Sequence, residues 1–114
     1  MTNWTTLPHE NLIAYRVARE LLVLVSEAGI ADLKLRDQAM RAAKSVCLNI
    51  AEASGRGSSP DQKRVYAIAR GEACEAAAAL DIGCAAGDCS AEAAQASGAL
   101  ARRLYALLTG LIRA

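Results

Sequence analysis

Apolar residues recur at spacings of three and four along most of this chain, the period of a helix that buries one face. Leu12, Tyr15, Ala18, Leu22 and Val25 form the first stripe. Pro8 suits its first turn, where the missing N–H would be unbonded anyway, and Gly29 stops it. The pattern predicts a helix over about residues 8–28. Asp32 is placed to cap a second helix over about 33–54, with Leu35, Ala39, Ala42, Val46, Ile50 and Ala53 as its apolar stripe and Gly55 and Gly57 as its stop. In "SSPDQ", Ser59 fits the N-cap, Pro60 fits N1, and Gln62 at N3 completes a capping box. A third helix over about 60–86 follows, its faces made by Val65, Ile68, Ala69, Ala76, Ala79, Leu80 and Gly83. Gly87 breaks it. Ser90 caps a fourth, over about 90–112, with Leu100, Leu104, Leu107, Leu108 and Leu111 in line. Short connections between long helices make neighbours antiparallel. The expected fold is all-α, an antiparallel up-down-up-down four-helix bundle forming a single domain over residues 1–114.

Composition points the same way. Of 114 residues, 26 are alanine and none is phenylalanine, and aromatics make up 4%. A core of such small side chains suits closely packed helices, since sheets favour β-branched and aromatic residues. No apolar run approaches the roughly 20 residues of a membrane span, and "MTNWTTLPHE" lacks the basic-then-apolar pattern of a signal peptide, so a cytoplasmic location and no membrane partner are expected.

Charge and cysteine chemistry narrow the functions. With 13 basic and 12 acidic residues the chain as a whole lacks the basic balance of a nucleic-acid-binding domain. Any anion-binding surface must come from clustering, or from several copies together. Cys47, Cys74, Cys84 and Cys89 are not spaced as zinc ligands, and the one histidine, His9, stands far from them. No metal or cofactor is expected. Cys47 and Cys74 read as small apolar residues within helices. A di-metal bundle site needs Glu-x-x-His motifs, and no nucleophile has a visible base, so no enzyme is expected.

One polar ridge stands out. Gln38, Arg41, Ser45, Asn49 and Glu52 fall in one sector of the second helix, with Leu48 inside or beside it. If the next turn centres near residues 57 and 58, Glu52 faces Lys63, Ser45 faces Arg70 and Arg41 comes level with Cys74 and Glu75, so that Glu52–Lys63 and Arg41–Glu75 can pair across the hairpin. The ridge then either pairs the second helix with the third or faces a subunit or ligand. Trp4 and Tyr105, the latter beside Arg102 and Arg103, are either interface anchors or aromatics lying along the bundle's own surface.

At these residues the chain resembles a known family. "RAAKSVCLNIAEASGRGS" is similar to the RAA-x-SI-x-x-NIAEG-x-GR signature of the 23S rRNA intervening-sequence proteins. "AYRVARELL" resembles that family's first-helix motif, and "VYAIARGEACEAAAAL" its third-helix motif, FL-x-IA-x-GS-x-x-E. Ala53 stands where the family has Gly, and Val65, Tyr66 and Glu72 replace its Phe, Leu and Ser. The resemblance implies a four-helix bundle, commonly a homopentameric ring, in a family without established enzymes. It also implies kinship with the accessory variability determinant proteins of diversity-generating retroelements, which bind a reverse transcriptase and nucleic acid. A non-catalytic oligomeric scaffold follows, with Lys34, Arg41, Lys44, Arg56, Lys63 and Arg64 as candidate RNA contacts. The alternative is a protein-interaction module with no nucleic-acid role.

Overall fold

The computed structural model describes residues 5–114; Trp4 lies outside them. Four helices make up nearly all of it: α1 (Ile13–Glu27), α2 (Leu33–Ser54), α3 (Ser59–Ala85) and α4 (Ala91–Arg113). Each packs on the next and α4 closes onto α1, while α1 and α3 barely meet across the diagonal. The result is a square bundle of 53 × 27 × 21 Å. Arg41 pairs with Glu75, and Arg56 with Asp61, so α3 descends as α2 ascends. The Ala31 N–H, between α1 and α2, donates to the Asp88 carbonyl, between α3 and α4, at 2.9 Å. Those two connections therefore share one end of the bundle, and the α2–α3 turn closes the other.

Local chemistry sets the helix ends. Asp32 Oδ2 accepts from the Leu35 N–H at 2.8 Å, and Ser90 Oγ accepts from the Ala93 N–H at 3.1 Å, each satisfying an otherwise orphaned donor. Gly87, at φ +80°, closes α3. Its N–H donates to the Cys84 carbonyl, and the Asp88 N–H to the Gly83 carbonyl, which is the Schellman arrangement.

Two boundaries differ from the sequence pattern. The cap of α3 is Ser58 rather than Ser59; its Oγ accepts from the Asp61 N–H at 3.4 Å, so the capping box through Gln62 does not form. Two adjacent serines offer the same hydroxyl, and the turn geometry chose between them. The first helix is also broken. Pro8–Asn11 form a 3-10 turn, held by Glu10 accepting from the Leu7 N–H, and Leu12 is extended before α1 begins. This break carries the turn onto α2, a tertiary contact that outweighs helical continuation.

The core is built as composition requires. Leu21, Ile50, Leu80, Leu104 and Leu108 are its large fully buried side chains, and Ile30 plugs the end where the two connections meet. Between them Ala39, Ala42, Ala43, Ala69, Ala73 and Ala76 are wholly buried. Alanines on facing helices permit close approach, and α3 is in broad contact with both α2 and α4. The buried stripe of α1 centres on Ala14, Val17, Ala18, Leu21 and Val25, with Tyr15 and Leu22 at its margin. Cys47 is buried as expected of a small apolar residue, and burial pushes its thiol up. Cys74 lies within α3, as read from the sequence, but is exposed, so it does not share the burial of Cys47.

Candidate nucleic-acid interface

The polar ridge of α2 lies along the outer edge of the α2–α3 hairpin. Arg41 Nη2 contacts both oxygens of Glu75, at 2.7 and 2.8 Å, and Nη1 reaches Glu72 at 3.4 Å. The guanidinium holds the Glu75 carboxyl below its ordinary range. Glu72 moves the other way, pushed up first by burial and then by its neighbour Glu75. Asn49 donates to Ser45, to both its carbonyl and its hydroxyl at 2.9 Å, so this part of the ridge is satisfied within α2. Gln38, Arg41 and Glu52 are exposed, and Ser45 and Asn49 are half-buried.

The expected Glu52–Lys63 pair does not form. Glu52 instead bonds Arg56 one turn on, and Arg56 also reaches Asp61 at 3.9 Å. A partner in the same turn is closer and needs less chain ordering than one across the hairpin. Ser45 does not meet Arg70 either, because Arg70 turns toward α4.

Leu48 is 71% exposed and Ile68 43%. Leu48 lies seven residues after Arg41, and Ile68 seven before Glu75, so each sits two turns from the bonded pair on the same side of its helix. An apolar centre thus lies between two ionic clusters on the α2–α3 face.

The antiparallel fold sorts charge along the bundle axis. The half that ends at the α2–α3 turn holds most of the 13 basic residues, including Arg56, Lys63, Arg64, Arg70, Arg103 and Arg113. The other end gathers Glu27, Asp32, Asp37, Asp81, Asp88 and Glu92. A net charge of +1 therefore hides one basic and one acidic end. Of the basic residues singled out in the sequence, Lys44, Arg56, Lys63 and Arg64 share the basic half. Lys34 lies at the opposite end, about 33 Å from Arg56 along α2. Arg41 lies nearer the middle and is engaged by Glu72 and Glu75.

Sequence reasoning set Arg70 against Ser45 and so missed its place on α4, and it overlooked Thr109 and Arg113. The Arg70 Nη1 donates to Thr109 Oγ1 at 2.9 Å, and its guanidinium carbon lies 4.8 Å from the Tyr105 ring centroid. The hairpin register that aligned Arg41 with Glu75, applied about Gly87, would have put Arg70 level with Tyr105.

The helices that carry these residues are also the region that matches a known family. A family model described as the 23S rRNA-intervening sequence protein matches residues 10–110. The chain belongs to that family. No curated protein matches it. The match takes in α1, α2 and α3 whole and α4 as far as Gly110, so the Arg70–Tyr105 contact and nearly all of the charge-sorted bundle fall within the family region. Among the described residues no helix is long and apolar enough to cross a membrane, and no group of three or more His, Cys, Asp or Glu is placed to hold a metal ion. A groove of about 690 Å³ runs between α1 and α4, with Val23, Leu24, Ala93 and Leu100 as its apolar lining.

Proposed function

We propose that this protein is a non-catalytic scaffold that binds RNA through its basic half and self-associates through the outer α2–α3 face. The segregation of basic residues toward the α2–α3 turn carries the RNA reading. Phosphates neutralised there release counterions, and the acidic end keeps the strand from running the full length of the bundle. The family's name, which refers to rRNA, supports the same direction. Self-association rests on Leu48 and Ile68, an exposed apolar pair framed by ionic clusters. A ring of copies, the pentamer that the family resemblance implies, multiplies a modest basic patch.

The test is a fluorescence-polarisation titration against a structured RNA, a duplex DNA and a neutral polymer at low and moderate salt. Binding of the nucleic acids alone is expected, weakening steeply with salt. Replacing Lys63 and Arg64 with Gln should lower the salt slope by about one for each phosphate no longer neutralised. Absence of nucleic-acid binding at low salt refutes the RNA role.

The α1–α4 groove favours a second reading, a protein-interaction module that seats a partner's apolar side chains. Its binding would survive high salt, which separates it from the first.

A further inference from the structure

Arg70 is half-buried between α3 and α4, yet no carboxylate lies within ion-pair distance of it among the described residues. A guanidinium offers five N–H donors in one plane. In Arg70 the contact with Thr109 engages one end of that fork, and the guanidinium carbon lies over the Tyr105 ring, 4.8 Å from its centroid. Tyr105 is itself 47% exposed. The pair is therefore in place before any ligand arrives, with an aromatic surface and cationic donors that face solvent side by side.

The charged surroundings are one-sided. Lys63 lies seven residues before Arg70, about 10 Å along the same side of α3 toward the basic end. Arg102 lies three residues before Tyr105 on α4, but its guanidinium folds back over Gly98, away from Tyr105 and into the groove that Asp81 also lines. The nearest acid along this face of α3 is Asp81, three turns beyond Arg70.

An unpaired nucleotide uses both halves of such a site. Its base stacks on an aromatic or guanidinium plane, and its phosphate accepts from the fork. A duplex buries its bases in its own stack and can use only the charge. We propose that the Arg70–Tyr105 stack docks an unpaired nucleotide of single-stranded RNA. This rests on the RNA reading above and narrows it to unpaired strand.

The test compares a fluorescein-labelled oligouridylate with the same strand annealed to its complement, at moderate salt. Wild-type protein should bind the single strand more tightly. Tyr105→Ala should weaken single-strand binding about ten-fold or more, and leave duplex binding unchanged. Tyr105→Phe should restore it, which loss of a merely structural contact at the hydroxyl would not. Ultraviolet cross-linking of wild-type protein to a 5-iodouridine oligomer needs no variant, and the adduct should map to the peptide that contains Tyr105. Equal affinity for strand and duplex, with Tyr105→Ala changing neither, overturns this inference and leaves the basic-half reading standing. Adducts found only elsewhere do the same. Binding of neither nucleic acid at low salt overturns both.

Discussion

Arg41 on α2 grips Glu75 on α3 through one nitrogen and both carboxylate oxygens, with Glu72 held more loosely on the same guanidinium. Two carboxylates share one cation, and their pKa values part. Glu75, lowered chiefly by its hydrogen bond to Arg41, contributes stability above the ordinary carboxylate pKa and loses it as pH falls through the lowered value. Glu72, raised by burial and then by Glu75, contributes most at acid pH and loses it as pH rises through the raised value. Glu75→Gln should therefore flatten the acid side of the stability curve. Glu72→Gln should keep the acid limb and leave the melting temperature at pH 7 equal or higher. Thermal melts from pH 3 to 8 check both, and a Glu72→Gln protein clearly less stable at pH 7 would contradict the assignment.

Gly83 and Cys89 are a second close pair. A Cβ on Gly83 would stand 3.1 Å from Cys89 Sγ and 3.4 Å from Leu35 Cδ2, while the thiol is held by the Leu80 carbonyl at 3.3 Å. Gly83→Ala gains about 1 kcal/mol of helix propensity and loses about 1–3 kcal/mol to overlap. It should be neutral to destabilising. In a Cys89→Ala background the overlap is gone, so the same change should stabilise, and chemical denaturation of the four proteins measures the coupling. By contrast, nothing lies within 4 Å of a Cβ on Gly71, and Gly71→Ala should stabilise by about 1 kcal/mol.

Ser58, not Ser59, caps α3. Ser58→Ala should cost about 0.5–1 kcal/mol, at the low end for a cap because its bond is 3.4 Å long, and Ser59→Ala less than half of that. Equal losses in urea unfolding would mean that the two serines share the role.

Leu80 and Leu48 separate folding from the proposed self-association. Leu80 is fully buried, and Leu80→Ala should cost about 2–5 kcal/mol. Leu48 is mostly exposed, so Leu48→Glu should change monomer stability by no more than about 0.5 kcal/mol while shifting sedimentation toward smaller species. An unchanged sedimentation profile would remove the α2–α3 face as the contact between copies.

What the sequence by itself determined was local. Spacings of three and four, glycine stops and capping residues are properties of neighbouring positions, so they set four helices, the Asp32 and Ser90 caps and the antiparallel hairpin that brings Arg41 to Glu75. Tertiary structure decided whatever depended on a choice between similar local options or on a third element. Glu52 took Arg56 over Lys63 because the nearer partner cost less ordering. Ser58 took the cap that Ser59 could equally have offered, and Leu12 left the helix so that the 3-10 turn could meet α2. Arg70 turned to Tyr105 because α4 lay on that side of α3. Above all, a near-neutral chain acquired a basic and an acidic end, since antiparallel folding superposes distant segments and sums charges that composition only averages.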